Sequence, residues 1–372
     1  MFDFFKKFAL GLDISDYSIE IIFLRGSIKN PQLLNGGRVI LEPGIVENNQ
    51  ILNKEKLKSS LQALIKSLNL KKINKQRLVF SIPEPKIFIS ILELPKDLKK
   101  QEKLELIKSR VAQSFPYSLE DLYLDFKIRD NEVLLVAAPK NIVDDFSEVL
   151  RSCGLNPMVI EPESESLSRS LIKDQKETVL IVDIGAKATN FSIFDEKGLR
   201  MSISIDIAGN RFTQILSEKL GVPYSKAEDL KKEIGLNPEL EQGKVFLILQ
   251  QETWKIIEEI KKIKNYFQEK EAKKITRVIL AGGSANLPYL SEYLTDNLEI
   301  PTSIGDPWIK VNKELPNKKE NLREVLEPNS VLFATATGLA LRGLTKNPEK
   351  EGINLLKEIS PSEKFFNFLK NF

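Results

Sequence analysis

Short continuous apolar runs alternate along the chain with stretches in which apolar residues recur every three or four positions. Strands interleaved with amphipathic helices are the expected result, an α/β architecture. The first strand is predicted over 8–14 and the second over 18–25, joined by the polar turn Ser15-Asp16-Tyr17. This is a hairpin with an acid at its bend. A stretch rich in Asn, Gly and Pro over 30–53 reads as a loop, after which Leu57, Leu61, Leu64, Ile65 and Leu68 share one helical face. Residues 77–160 read as an inserted α+β module: strands 78–82 and 87–92, helix 97–115, strand 133–138, helix 141–153 stopped by Gly154, and strand 158–160.

A second cycle then begins. A β-branched run over 178–184 suits a buried strand, Gly185-Ala186-Lys187 is a turn, and 190–195 and 200–207 read as two more strands. Helices are predicted over 210–220, 224–234 and 243–268, the last with Trp254, Ile257, Ile260, Ile263 and Phe267 on one stripe. Then come a strand over 277–281, the turn Gly282-Gly283-Ser284, a helix over 287–297, a charged loop over 313–327 and a small-residue helix over 330–343. Leu12-Asp13-Ile14 and Val182-Asp183-Ile184 each close a strand before a tight turn, so the opening hairpin is repeated. Two related halves facing one another are expected: a first lobe over 1–76 that continues over 161–177, the inserted module over 77–160, a second lobe over 178–343 that includes the final helix, and a tail over 344–372.

Composition removes whole classes of chemistry. Among 372 residues there is no histidine, which excludes Ser-His-Asp and Cys-His catalysis and every His-containing metal site. A single cysteine, Cys153, forms neither an internal disulfide nor a thiolate cluster and fits a reducing compartment. The 55 Lys and Arg against 52 Asp and Glu leave a net charge of +3, too little for the single-sign field that nucleic acid requires, so no nucleic-acid partner is expected. No run reaches the roughly 18 apolar residues of a membrane span, and the N-terminus lacks a signal-peptide pattern. A cytoplasmic location is expected.

The repeated acid has a chemical reading. Turn amides can cradle phosphate oxygens while the acids hold Mg²⁺ through water, and Asp13 and Asp183 are the candidates. A Gly-Gly-Ser turn between strand and helix lets backbone approach a ligand closely. Each motif alone is also an ordinary turn, and it is their order and spacing that carry weight.

Taken together the residues resemble the actin, FtsA and heat-shock-chaperone ATPase superfamily, a duplicated two-lobe, ribonuclease H-like α/β fold. Residues 10–14 (Leu-Gly-Leu-Asp-Ile) are similar to its first phosphate loop, and Val182-Asp183-Ile184-Gly185-Ala186 with Thr189 to its second. Residues 278–288 (Val-Ile-Leu-Ala-Gly-Gly-Ser-Ala-Asn-Leu-Pro) resemble its adenosine motif, and Ala208-Gly209-Asn210 with Thr213 its Gly-rich turn. Ala227-Glu228-Asp229-Leu230-Lys231 resembles the helix whose Glu and Lys meet ribose and base in FtsA-like members. Glu161-Pro162 resembles the segment carrying a water-orienting acid, and is equally a plain helix N-terminus. Within the superfamily, Ile82-Pro83, Glu93-Leu94-Pro95, Phe115-Pro116-Tyr117, Leu135-Val136-Ala137-Ala138-Pro139 and Gly338-Leu339-Ala340-Leu341-Arg342 resemble the PilM family of type IV pilus assembly proteins. So does the early placement of the inserted subdomain.

That resemblance implies a cytoplasmic adaptor at the inner face of the cell membrane. It would bind ATP or ADP with Mg²⁺ and take the N-terminal peptide of a PilN-like membrane protein, so linking the platform to pilus motor proteins. Competence and secretion systems are related end uses. An FtsA-like, membrane-tethered polymerising cell-division protein is the alternative, and a small-molecule kinase a third. Implied site residues are Asp13, Asp183 and Glu161 for chemistry, with Asp13 and Asp183 holding Mg²⁺ through water. Ser15, Ser18, Gly185, Ala186, Lys187, Gly209, Glu228, Lys231, Gly282, Gly283 and Ser284 are implied for nucleotide binding.

The first loop departs from the family. Ser15 stands where a glycine is usual, Asp16 adds an anion where phosphates should sit, and Glu20 replaces a lysine. The second loop has Ala188 and Asn190 for Thr and Asp, with Lys187 restoring a positive charge. Nucleotide binding with slow or absent hydrolysis is therefore expected. In the tail, Ile353-Asn354-Leu355-Leu356 resembles the start of PilN; it is either a pseudo-ligand, in cis or between copies, or an ordinary amphipathic segment. Phe365, Phe366, Leu369 and Phe372 suit either peripheral membrane contact or docking on the protein's own surface.

Overall fold

The computed structural model describes residues 7–69, 77–95, 99, 102, 105–107, 109–110, 113, 117–129, 131–313, 322–326 and 330–356. The chain divides into two compact units, the described residues of Met1–Ser166, Val311–Asn321 and Thr335–Phe372, and those of Leu167–Lys310 and Leu322–Ala334.

In the first unit β1 (Lys7–Ile14), β2 (Ser18–Ser27) and β3 (Asn30–Ile40) form an antiparallel meander. A short hairpin, β4 (Val46–Glu47) and β5 (Gln50–Ile51), leads to α1 (Lys54–Ser67). The Asn53 side chain caps this helix by accepting the Lys56 N–H, and Leu57, Leu61 and Leu64 are its buried stripe. β6 (Arg77–Ile82) lies parallel to β1, and β10 (Pro157–Pro162) parallel to β6, giving the order β10-β6-β1-β2-β3. Between β6 and β10 run β7 (Phe88–Glu93), β8 (Leu122–Arg129), β9 (Glu132–Pro139) and α2 (Lys140–Ser152). α3 (Glu163–Leu171) follows, and from Leu167 onward its residues belong to the second unit.

The second unit repeats the scheme. β11 (Val179–Ile184), β12 (Thr189–Asp195) and β13 (Gly198–Ile205) form the meander. After α4 (Gly209–Leu220), α5 (Tyr224–Ile234) and α6 (Lys244–Glu271), β14 (Arg277–Ala281) pairs parallel to β11. α7 (Leu290–Leu298) and β15 (Thr302–Ile304) close the sheet in the order β13-β12-β11-β14-β15. Antiparallel and parallel pairings fall at the same places in both sheets, so the echo of the acid-tipped hairpin reflects two copies of one topology.

Five of the described strands lie where the pattern predicts none, the two-residue β4 and β5 among them. β3 lies in the segment read as a loop, because its Asn, Pro and Gly residues break the apolar run that burial nonetheless requires. β8 alternates Leu, Asp, Phe and Lys, and β15 has three residues. The inserted module is also smaller than 77–160. Its first and last strands, β6 and β10, belong to the main sheet, where their apolar residues find cover on both faces. α2 belongs there too, with Phe146 packed on Phe80 of β6 at 5.4 Å between ring centroids. What remains is the three-stranded antiparallel sheet β7-β9-β8 over its own core, which includes Leu92, Leu94, Ile107, Leu122, Leu124, Val133 and Leu135. Most of the expected helix 97–115 lies outside the described residues.

The final helix (Ala334–Gly343) was expected in the second lobe, yet from Thr335 onward it belongs to the first unit. Its small face lies flat on β1. A Cβ added to Gly11 would sit 1.9 Å from the Ala336 carbonyl oxygen and 2.5 Å from the Ala340 nitrogen, so Gly11 is the groove that admits the helix backbone.

Candidate functional site

The two hairpin tips carry opposite chemistry. In the second unit Asp183 ends β11 and the turn folds back on itself, the Gly185 N–H donating to the Ala188 carbonyl. The start of α4 is tied to that turn: the Gly209 N–H donates to the Gly185 carbonyl at 3.0 Å and the Asn210 N–H to the Ala186 carbonyl at 2.8 Å. The turn after β14 arrives at the same place. Gly282 has a φ of +78°, and a Cβ there would lie 2.4 Å from the Asp183 carboxylate and 2.5 Å from the Ile184 carbonyl oxygen, so only glycine fits. The Ser284 hydroxyl is 3.4 Å from the Gly185 carbonyl. Gly283 and Lys187 are exposed at the two turns.

α5 adds a charged pair. Lys231 is buried and donates to the Gly209 carbonyl at 3.0 Å, to Thr213 Oγ1 at 2.8 Å and to Glu228 at 2.7 Å. Thr213 donates to Glu228, and Lys232 pairs with the other carboxylate oxygen. Burial pushes the Glu228 carboxyl up, but the hydrogen bonds from Lys231 and Thr213 and the Lys231 charge outweigh it, leaving a carboxylate below its ordinary value. Burial drags the Lys231 ammonium below its ordinary value, against the pull of Glu228. Asp183, Gly185, Ala186, Gly209, Glu228, Lys231, Gly282 and Ser284 thus converge on one spot within one unit. They combine backbone that a Cβ would obstruct, a helix N-terminus and a cation, which are the elements that anionic and polar ligands need.

The polar groups of the first hairpin are engaged by the hairpin itself and by neighbouring segments of the same unit. The Ser15 hydroxyl accepts the N–H groups of Tyr17 and Ser18 at 3.2 and 3.1 Å, and the Ser18 hydroxyl accepts from Arg38 at 3.0 Å. Asp16 has backbone partners of its own: its two oxygens accept the Asn48 and Asn49 N–H groups at 2.8 and 2.7 Å, capping the β4–β5 turn, whose two Asn residues have positive φ. Asp13 is buried and accepts from Ser81 at 2.7 Å. Burial pushes its carboxyl up to about 6, and that of Glu20 to about 7, although Arg38 pairs with Glu20.

Register explains the cluster. Arg38 on β3 lies opposite Glu20 on β2, which lies opposite Asp13 on β1, while Ser81 on β6 lies opposite Glu161 on β10. One polar line therefore crosses the whole sheet. The matching line in the second sheet is Ser204, Asn190, Asp183 and Ala281, with one carboxylate. Glu161, expected to orient a water, is wholly buried and ion-paired with the equally buried Arg342 of the final helix. Sequence reading missed Arg342, Arg38 and Ser81. The signal for Arg342 was present as the one charged residue in a helix of Ala, Thr, Gly and Leu.

The tail motif lies against the first unit. Ile353, Asn354 and Leu355 are buried, the Leu355 N–H donates to the Ile160 carbonyl at 2.8 Å, and the Asn354 N–H to Asp125 at 2.7 Å. Phe365, Phe366, Leu369 and Phe372 lie outside the described residues. No helix among the described residues is long and apolar enough to cross a membrane.

Comparison with known proteins places the fold. The structure is similar to that of a PilM-PilN type IV pilus biogenesis complex, with a TM-score of 0.75 at 21% identity, covering 90% of this chain and 98% of that one. It is also similar to the ethanolamine utilization protein EutJ from Carboxydothermus hydrogenoformans, with a TM-score of 0.55 at 13% identity over 90% of this chain and 89% of that one. MreB5 of Spiroplasma citri bound to ADP gives 0.54 at 14% identity over 89% and 94%. These likenesses establish the actin-like fold. Among curated sequences, the cell division protein FtsA of Pseudomonas aeruginosa is 29% identical over 31% of this chain and 27% of its own length. That of Staphylococcus epidermidis is 23% identical over 46% and 42%, so the chain spans less than half of the curated relatives it matches. A family model described as type IV pilus assembly protein PilM matches residues 11–344, nearly the whole chain, and the chain belongs to that family.

Proposed function

We propose that this protein is a cytoplasmic, nucleotide-binding adaptor of a type IV pilus or related assembly platform that takes the N-terminal peptide of a PilN-like membrane protein. The observation that carries this reading is the PilM family match over 11–344, which includes the β7–β9 subdomain. ATP or ADP fits the cluster of the second unit. Gly209, Glu228, Lys231 and Gly282 to Ser284 would hold the nucleoside end, and the Gly185-Ala186-Lys187 turn would offer N–H groups and a cation to phosphates. Asp183 would carry Mg²⁺ through water. Mg²⁺ neutralises phosphate charge when bound, and it is the chain's own glycines that admit the ligand.

The Ser15 hydroxyl accepts from Tyr17 and Ser18 and the Ser18 hydroxyl from Arg38, which argues against their use as phosphate ligands. Weak or absent hydrolysis is part of the proposal, with nucleotide as a conformational lever, which requires different affinities for two states. Contact with motor proteins and membrane contact through the C-terminal phenylalanines belong to the same proposal, whereas self-association through Ile353, Asn354, Leu355 and Leu356 would require that segment to leave the chain's own β10.

Titration of a labelled PilN-type N-terminal peptide, with and without Mg-ATP, tests the reading. Saturable binding whose affinity changes with nucleotide is the expected result; no binding in either condition would sink it. The curated FtsA relatives favour a second reading, a membrane-tethered polymer. Filaments on lipid with ATP, seen by electron microscopy in place of peptide capture, would select it.

A further inference from the structure

β10 is an edge strand of the first sheet, and three of its backbone groups are taken by the chain's own tail. In a parallel ladder alternate residues face outward, and here those are Met158, Ile160 and Pro162. Pro162 has no N–H to offer, and the groups the tail meets are the Met158 carbonyl and both backbone groups of Ile160. Asn354 Nδ2 approaches the first at 3.4 Å, Asn354 Oδ1 accepts the Ile160 N–H at 3.2 Å, and the Leu355 N–H reaches the Ile160 carbonyl at 2.8 Å. Asp125 on β8 accepts the Asn354 N–H at 2.7 Å. Ile353 and Leu355 on either side are buried.

A second anchor lies earlier in the tail. The Arg342 guanidinium, paired with Glu161 of β10, donates twice to the Pro348 carbonyl at 3.1 Å. Between the anchors residues 349–351 are exposed, and residues 344–356 contribute no strand or helix of their own. Of the four hydrogen bonds at the Asn354 anchor only one joins backbone to backbone. Thr345 is tied separately, its carbonyl accepting from Lys7 at 2.8 Å and from Arg77 at 2.9 Å, and beyond it the tail has few backbone ties to the sheet, the condition under which a segment opens locally.

We infer that residues 346–356 are a latch, pinned by Arg342 and Asn354, that fills the β10 edge in cis and opens without unfolding the sheet, freeing that edge for an extended peptide. The occupant in trans is defined by chemistry: a backbone N–H for Asp125, a carboxamide for Ile160 and Met158, and an aliphatic side chain on each side. The inference rests on the reading of the chain as a peptide-binding adaptor and names the regulation of that site. The latch sets peptide affinity by competing for the same edge, as an intramolecular ligand lowers apparent affinity by the fraction of closed molecules.

The test uses the full chain and, as probe, a synthetic peptide copying residues 349–356. In native-state hydrogen exchange, the Ile160 and Leu355 amides should exchange at least tenfold faster than Val79 and Phe80 of β6. Exchange of all four at one common rate would show the tail to be integral to the sheet and overturn the latch. Asn354→Ala should bind the probe at least tenfold more tightly than the wild type, with little change in melting temperature. Equal binding by both, or by neither, would count against competition at the edge. Concentration-dependent dimers that exchange their tails would replace the cis latch with a swap between copies and overturn it. Failure of a PilN-type peptide with success of the probe would reject the adaptor reading and leave the latch standing.

Discussion

The two halves share one sheet topology and one acid position, and they part company across a single register line. In the second half that line runs Ser204, Asn190, Asp183, Ala281, and the tip of β11 is glycine-lined backbone tied to the start of α4. In the first half the line runs Arg38, Glu20, Asp13, Ser81, Glu161, and the tip of β1 is closed by its own serines. Duplication thus preserves the scaffold while the two tips diverge. One remains suited to a ligand, and the other is an internally satisfied polar network.

Writing one half into the other tests this difference, and the largest effect is expected at the strand position two residues before the acid. Gly11→Ile copies Ile181 of β11, and with a Cβ directed at the Ala336 carbonyl it should cost more than about 4 kcal/mol or abolish folding, read by chemical denaturation. Arg38→Ser copies Ser204 and leaves Glu20 buried without its cation, at an expected cost of about 3 kcal/mol at pH 7.5. Adding Glu20→Asn, which copies Asn190, should restore most of that loss.

The same double variant changes the pH profile. Asp13 and Glu20 have folded pKa values raised to about 6 and about 7, so the folded state holds protons more tightly than the unfolded one. The stability they contribute is fully present below pH ~4 and is lost as pH rises through 6 to 7. Glu20→Asn with Arg38→Ser should flatten this slope between pH 5 and 8; a slope equal to that of the wild type would place its origin elsewhere.

Ligand effects come next. Lys231→Met should weaken binding of a fluorescent ATP analogue about tenfold, roughly 1.4 kcal/mol, because it removes the cation that orders Gly209, Thr213 and Glu228. Ser15→Ala should leave that affinity within about twofold, since the Ser15 hydroxyl serves the turn. A loss at Ser15 equal to that at Lys231 would erase the distinction between the tips.

Much of the second half was legible because its signals are local. Gly282-Gly283-Ser284 after a β-branched strand, and Glu228 and Lys231 three apart on one helix face, are statements about neighbouring residues. The first half misled where partners are distant in sequence. Asp16 read as an anion placed against phosphates, whereas it caps a turn 32 residues away. Glu161 read as a water-orienting acid, whereas its partner Arg342 lies 181 residues along the chain. β3 read as a loop because glycine and asparagine are weak strand formers, and only pairing with β2 makes a strand there favourable.

By itself the sequence determined the alternation of strands and helices, the duplicated acid-tipped hairpin and the absence of any imidazole chemistry, because periodicity and composition are properties of the chain alone. Tertiary structure alone decided that β6, β10 and α2 belong to the main sheet, that the final helix lies on Gly11, and that one tip is satisfied internally while the other gathers Gly209, Lys231 and Gly282. The reason is physical. Burial, register and hydrogen-bond saturation depend on which distant segments meet, and a polar residue has no fixed role until its partner is in place.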